Sequence, residues 1–130
     1  METGGRVSHR PDKMTGPARL VRAFGSSWRG FAAAWREEEA FRQECLLALV
    51  LIPAGLWLGQ SGVERALLVG PMFVVLAIEL VNSAVEATVD RIGVERHPLS
   101  AIAKELGSAA VFVSFVLLVL NWILVLAWRH

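Results

Sequence analysis

An apolar segment at residues 66–90 carries polar side chains at the spacing of a single helical face. Five of them interrupt it: Glu79, Asn82, Ser83, Glu86 and Asp90. Offsets of 3, 4, 7 and 11 residues from the first place all five within roughly 100° of arc, because a helix turns 100° per residue. Carboxylates inside a membrane helix are costly and commonly mark a proton path, an ion site or a catalytic site. This polar stripe is therefore the first candidate for chemistry.

Two kinds of chemistry fit the polar stripe. Carboxylates near a membrane face can hold Mg²⁺, which shares oxygen ligands with substrate phosphates, while another carboxylate takes a proton from a hydroxyl. The same groups can shuttle protons or cations. The sequence has no Walker loop, protein-kinase loop, GxSxG, HExxH or paired CxxC motif. Serine hydrolysis and zinc chemistry therefore lack support, and periodicity alone leaves phosphoryl transfer and ion movement both open.

The composition indicates a membrane protein of one domain. Hydrophobic residues make up 55% of the 130 residues, and the mean hydropathy is +0.50, as in integral membrane chains. Three apolar segments, at about 41–59, 66–87 and 107–128, are candidates to cross the hydrocarbon core as helices. The sequence therefore predicts an all-α membrane protein, a bundle with three transmembrane helices. The single cysteine, Cys45, excludes an internal disulfide.

The positive charges predict how the chain is oriented. Eight of the 13 Lys and Arg residues precede Cys45, three lie between the second and third apolar segments, and Arg65 and Arg129 are the remaining two. By the positive-inside rule, the N-terminus and the second loop face the cytoplasm, and the C-terminus faces the opposite side. The net charge of +1 and the arginines along the membrane flanks argue against a nucleic-acid partner.

The N-terminal third has a different pattern from the apolar segments. Residues 1–15 mix Gly, Pro and charge without periodicity, which predicts a disordered tail before a single domain at 16–130. Over about 17–40, apolar side chains recur at helical spacing, which predicts an amphipathic helix on the membrane surface. The Gly-Ser-Ser interruption at 25–27 leaves open one bent helix or two short ones. Further along, Ser100 is expected to cap the helix that follows the second loop.

Three separated motifs resemble the bacterial integral-membrane diacylglycerol kinases. They are SWRGFAAAWREEEAFRQE at 27–44, ELVNSAVEATVDRIG at 79–93 and ERHPLSAIAKELGSAAV at 95–111. The resemblance covers the chain from about Arg19 onward. It implies a homotrimer in the bacterial inner membrane, with three spans and a surface helix in each subunit. It also implies direct in-line transfer of the γ-phosphate of ATP, with Mg²⁺, to diacylglycerol, giving phosphatidic acid.

The same resemblance implies roles for individual residues. Glu79 aligns with the catalytic base, Glu38 and Glu86 with metal-binding carboxylates, and Asn82 and Asp90 with supporting positions. The residues at ATP positions are Arg19, Ser26, Glu38, Glu86, Glu95, Arg96, His97, Lys104 and Glu105. Those at lipid-substrate positions are Arg19, Ala23, Trp28, Arg65, Glu79, Ser108 and Trp122. This chain departs from the family pattern at Glu105, where aspartate is usual, and at Ser26, where an aromatic is usual.

Three alternatives remain open at the level of sequence. Undecaprenol kinases share the glutamate motif and differ in the lipid acceptor, although GSAAV at 107–111 favours diacylglycerol. A small proton-coupled transporter would use Glu79 as its titrating group and would not require Glu38 or Lys104. A structural assembly protein would tolerate loss of the Glu79 charge. Glu44, at the start of the first span, is interpreted as a structural residue or as polar lining.

Overall fold

The described residues form helices only. The computed structural model describes residues 15–129, and no strand occurs in that range. The helices are α1 (Gly16–Glu37), α2 (Glu39–Leu58), α3 (Gly62–Ile92) and α4 (Pro98–Ala127). The all-α prediction is confirmed, whereas the predicted tail at 1–15 lies outside the described residues except for its last position. The chain divides into two compact units, one ending at Ala32 and the other beginning at Ala33, and each is described by itself. The single domain at 16–130 stays a prediction.

Three of the helices are suited to cross a membrane. Helices α2, α3 and α4 each have the length and apolar composition of a spanning helix, in agreement with the three predicted spans. The helices α3 and α4 are longer than the apolar segments that predicted them. The 31 residues of α3 extend about 46 Å, whereas the hydrocarbon core is about 30 Å thick. The additional residues, which include polar and charged side chains, lie at both ends of α3 and at the start of α4.

Helix α1 answers the question left open by the Gly-Ser-Ser interruption. The helix continues through Gly25, Ser26 and Ser27, so neither two short helices nor a break is present there. The chain leaves helical geometry only at Glu38, which has an extended backbone and precedes α2. Large apolar side chains of α1, including Phe24 and Trp28, are exposed. An exposed apolar face next to arginines is typical of a helix that lies on a membrane surface.

The core of the second unit is formed around α3, which packs against both α2 and α4. Its fully buried centre consists of Met72 and Val75 of α3, with Ala48 of α2 and Leu118 of α4 against them. At Gly55 of α2, an added Cβ would lie 3.1 Å from side-chain carbons of both Leu68 and Val69. Close helix approach at a small residue is a general feature of membrane helix packing.

A proline inside α3 leaves one backbone carbonyl without its helical partner. Pro71 has no N–H to donate to the carbonyl of Leu67, four residues earlier. The Nδ2 of Asn121, on α4, donates to that carbonyl at 3.1 Å. The neighbouring Trp122 donates from Nε1 to the Leu68 carbonyl at 3.0 Å. Because a bare carbonyl in hydrocarbon is costly, side chains of α4 stabilise a helix that Pro71 would otherwise weaken.

The turn between α2 and α3 is held by caps and by two arginines. Ser61 Oγ accepts a hydrogen bond from the Glu64 N–H at 3.1 Å, which caps α3. Arg65 Nε donates to the Leu56 carbonyl at 3.0 Å. Beyond α4, Arg129 pairs with Glu64 at 3.0 Å and also donates to the Leu58 carbonyl. The free carbonyls at the end of α2 therefore receive cationic donors, which suit the negative end of the helix dipole.

The cap predicted for α4 is wrong. Ser100 lies inside α4, which begins at Pro98. His97 is the N-cap, and its Nδ1 accepts a hydrogen bond from the Leu99 N–H at 3.1 Å. Proline is well suited to the first position of a helix because its missing N–H would have no helical partner there. The helix therefore starts two residues before the serine that the sequence suggested.

Candidate functional site

The centre of the polar stripe is buried between α2 and α3. Glu79 of α3 is 5% exposed, and Glu44 of α2 is 7% exposed. The two carboxyl groups lie close enough to interact directly. Among the described residues, Glu44 Oε2 has no hydrogen-bond partner. The centre of the stripe therefore consists of two buried carboxyl groups contributed by different helices.

One helical turn further along α3, an amide connects the stripe to a second carboxylate. Asn82 is buried, and its Nδ2 donates to Glu86 Oε1 at 3.4 Å. Glu86 is half-buried. Because seven residues at 1.5 Å rise separate Glu79 from Glu86, the two carboxylates are about 10 Å apart along the helix.

Glu38 brings a third carboxylate to the same region of the second unit. It forms the break between α1 and α2 and is half-buried, whereas Glu37 and Glu39 on either side are exposed. Burial, followed by the charges of Glu86, Glu79 and Glu37, raises the pKa of the Glu38 carboxyl above its ordinary value. Of the three consecutive glutamates, Glu38 is therefore the one that is half-buried and whose carboxyl is affected by Glu86 and Glu79.

The carboxylates have the chemistry of a site for Mg²⁺ shared with a nucleotide. Within residues 15–129 there is no group of three or more His, Cys, Asp or Glu side chains arranged to hold a metal ion alone. Mg²⁺ usually takes one or two carboxylates and completes its shell with water and substrate phosphates. Glu38 and Glu86 repel each other across the site, and a bound cation would relieve that repulsion. The donor set therefore fits Mg²⁺ carried by a phosphate ligand.

The predicted nucleotide contacts of the second loop lie together in one cleft. Lys104 Nζ, on α4, pairs with Asp90 Oδ1, on α3, at 2.7 Å. The pair lies in an open cleft of about 610 Å³ at the α3–α4 loop. Other predicted residues lining the cleft are Glu95, Arg96 and His97. The cleft thus combines two cations, Arg96 and Lys104, with two carboxylates, Asp90 and Glu95, and a histidine.

Within the second unit, four predicted residues do not line this cleft or contact Glu79. Glu105 and Ser108 are exposed on α4. Arg65 and Trp122 lie toward the α2–α3 turn, where both donate to backbone carbonyls. Arg65 is 14 residues before Glu79 on α3, or about 21 Å. The remaining four predicted residues belong to the first unit, where all are exposed on α1: Arg19, Ala23, Ser26 and Trp28.

Comparison with known proteins identifies the family. The sequence model for "Prokaryotic diacylglycerol kinase" matches residues 25–126. The chain belongs to the prokaryotic diacylglycerol kinase family. It is 50% identical over 112 residues to the diacylglycerol kinase of Pseudomonas aeruginosa, covering 86% of this chain and 91% of the relative. It is 44% identical over 116 residues to the enzyme of Escherichia coli K12, covering 89% and 94%. The Helicobacter pylori enzyme is 40% identical over 112 residues, covering 86% and 88%.

Membership of the diacylglycerol kinase family sets the general activity. The chain is a lipid kinase, and a kinase uses ATP. With three helices able to cross a bilayer, it is a multi-pass membrane protein. The resemblance inferred from the three sequence motifs is therefore confirmed.

The sequence did not predict that Glu44, interpreted there as structural or as polar lining, lies beside the Glu79 carboxyl. A single carboxylate at the start of an apolar segment forms no periodic pattern, so the sequence indicates only a structural role or a polar lining role for it. The structure places it against Glu79. One sequence feature indicated such a contact. Glu44 is a charged residue at the start of an apolar segment, soon after Glu38, and charged residues in membrane spans usually face protein rather than lipid.

Proposed function

We propose that this protein phosphorylates diacylglycerol to phosphatidic acid, with ATP as donor and Mg²⁺ as cofactor. The observation that carries the proposal is the buried Glu79 carboxyl, about 10 Å along α3 from Glu86, the carboxylate that Asn82 contacts. A lipid hydroxyl reaches such a depth from the bilayer, whereas a nucleotide reaches Glu86 from the membrane face. Direct in-line transfer then requires the γ-phosphate, which enters from the Glu86 side, to meet the lipid hydroxyl at Glu79.

Glu79 acts as the general base in this proposal. Its carboxylate accepts the proton of the lipid hydroxyl while that oxygen attacks the γ-phosphorus in line with the leaving group. The bond from the γ-phosphorus to the β,γ-bridging oxygen breaks, and ADP leaves. Glu44 faces the Glu79 carboxyl and limits the orientations that Glu79 can adopt. The burial of both groups excludes water, which would otherwise compete with the lipid as acceptor.

Glu38 and Glu86 hold Mg²⁺ in the proposal. When bound, the cation neutralises charge on the transferring phosphoryl group. Asn82 orients Glu86 through its amide N–H. Lys104 supplies a point charge for the phosphates, and it exchanges its contact with Asp90 for this purpose. Arg96 and His97 add donors from the same cleft.

The site lies at the cytoplasmic face of a bacterial inner membrane in this proposal, and the C-terminus is periplasmic. The excess of Lys and Arg before α2 and in the α3–α4 loop supports this orientation. We also propose a homotrimer. Three spans of one chain offer little surface to enclose a nucleotide and a lipid together, and large apolar side chains are exposed on all three helices.

The direct test is transfer of labelled γ-phosphate from ATP, with Mg²⁺, by purified protein in mixed micelles. Diacylglycerol and undecaprenol are supplied in separate reactions, and Glu79→Gln is the inactive control. Label in phosphatidic acid that disappears with Glu79→Gln supports the proposal. Label mainly in the polyprenol product would reassign the acceptor to undecaprenol. No label in either lipid from folded protein would overturn the proposal and favour proton transport.

The three consecutive glutamates provide a matched control for the metal site. Glu38→Gln is expected to raise the half-activating Mg²⁺ concentration by about tenfold or more. Glu37→Gln and Glu39→Gln remove the same charge from exposed positions next to it, and they are expected to change it less than about twofold. Equal effects from all three variants would contradict a specific role for Glu38.

A further inference from the structure

The bare backbone of Gly107, on α4, lies directly against the amide of Asn82. A Cβ added at Gly107 would overlap Asn82 Oδ1 and would lie 3.2 Å from Asn82 Cγ. No glycine elsewhere among the described residues meets a side chain of the polar stripe in this way. Gly107 therefore leaves the space in which the Asn82 amide rests.

The contact with Gly107 also fixes the orientation of the Asn82 amide. Asn82 Oδ1 is buried and accepts no conventional hydrogen bond from the described residues, and it faces the Gly107 Cα–H, a weak donor common at helix interfaces. Asn82 Nδ2 faces Glu86 Oε1 at 3.4 Å. Turning the amide over would bring its oxygen toward the Glu86 carboxylate, which is repulsive. The orientation seen is the one in which both ends of the amide have compatible neighbours.

We propose that Gly107 is a positioning residue of this kinase site. By lacking a side chain, it lets Asn82 direct its N–H at Glu86 and hold that carboxylate ready for the metal–nucleotide complex. The inference rests on the proposed role of Glu86. The contact between Gly107 and Asn82 is observed independently of that role. Gly107 touches neither substrate nor metal and acts through Asn82. Ser108, beside it in the sequence, has no such contact because its side chain is exposed.

The first test observes the Asn82 amide without catalysis. The chain has two asparagines, Asn82 and Asn121, so protein labelled with ¹⁵N-asparagine has two side-chain amide signals in an NMR spectrum. Gly107→Ala is expected to shift the Asn82 signal and to leave the Asn121 signal in place. Gly70→Ala is the matched control, since an added Cβ there meets nothing within 4 Å. An unmoved Asn82 signal in Gly107→Ala would overturn the proposal.

The second test measures binding of a Mn²⁺ complex of a non-hydrolysable ATP analogue, followed by the electron paramagnetic resonance of Mn²⁺. Gly107→Ala is expected to weaken binding about tenfold, in the range found when groups that orient metal ligands are lost. In an Asn82→Ala background the same change is expected to add less than about twofold, because the added Cβ would lie 3.8 Å from the Asn82 Cβ, an ordinary contact.

The outcomes of the two tests separate this proposal from the proposed function. A shifted Asn82 signal with unchanged Mn²⁺–nucleotide binding would overturn positioning and leave the kinase proposal intact. Failure of the wild-type protein to transfer phosphate would overturn the kinase proposal. The NMR result would still show whether the Asn82 amide contacts Gly107. If Gly107→Ala does not fold, the double variant with Asn82→Ala is expected to fold, and its failure to do so would refute the steric argument.

Discussion

The free energy of the hydrogen bond from Asn121 to the Leu67 carbonyl shows how far α4 compensates for the backbone hydrogen bond that Pro71 removes. Hydrogen bonds between membrane helices contribute about 0.6 kcal/mol on average and up to about 1.7 kcal/mol. The Leu67 carbonyl has lost its backbone donor to Pro71, so Asn121 supplies the donor that the helix lacks. We therefore expect Asn121→Leu to lower the free energy of unfolding by about 1.5 kcal/mol, near the upper end of that range.

The role of Pro71 is isolated by a double-mutant cycle. Pro71→Ala restores a backbone N–H to the Leu67 carbonyl, so in that background Asn121→Leu should cost about 0.5 kcal/mol, a coupling of about 1 kcal/mol. Unfolding is measured by titrating SDS into mixed micelles. Trp122→Phe is the control, because its acceptor, the Leu68 carbonyl, keeps the backbone N–H of Met72 in both backgrounds. Equal costs of Asn121→Leu in the two backgrounds would refute this explanation. Phosphoryl transfer by the Asn121→Leu variant should be unchanged, since Leu67 lies about 18 Å along α3 from Glu79.

Three further predictions concern packing, the α2–α3 turn and the cleft. Gly55→Val should lower the free energy of unfolding by about 1–3 kcal/mol, because α3 lies 3.1 Å from an added Cβ, and Gly70→Val, in open space, should have little effect in the same SDS titration. Arg129→Gln should lower the free energy of unfolding by about 1 kcal/mol. If this loss is no larger in the wild-type background than in a Glu64→Gln background, the ion pair between the two residues adds nothing to stability. Asp90→Asn should change kcat/KM for ATP less than about threefold, because the pair with Lys104 is exposed, whereas Lys104→Met should lower kcat/KM about a hundredfold. Similar losses of kcat/KM in both variants, measured by labelled phosphate transfer, would contradict that distinction.

The fold was largely predictable because hydropathy and helical periodicity are local properties of the sequence. The three apolar segments became α2, α3 and α4, since a helix is the open-chain structure that satisfies every backbone group in lipid. The ends of the helices were harder to predict. The sequence suggested Ser100 as the cap of α4, but Pro98 and His97 begin that helix earlier, and the choice between adjacent caps depends on which side chain reaches a free N–H.

The site was predictable only where its members share one helix. Glu79, Asn82 and Glu86 could be grouped because their spacing places them on one face of α3. Glu44 and Gly107 are contributed by α2 and α4, so their relation to this face depends on how the helices pack. Glycine is especially hard to detect, because its contribution is the absence of a side chain. Glu38 was selected among three glutamates by the resemblance alone, and periodicity could not have shown that it is the half-buried one at the break between α1 and α2.

The contacts at the α2–α3 turn imply an order of assembly during biosynthesis. Ser61 and Arg65 bind groups within nine residues of themselves, so their bonds can form as soon as the first two spanning helices have entered the bilayer. Arg129 reaches back 65 and 71 residues to its partners and can bind only after α4 has been inserted. The first two spans are thus joined by bonds that do not depend on α4, whereas the bonds of Arg129 fasten the end of α4 to the turn that those spans have already formed.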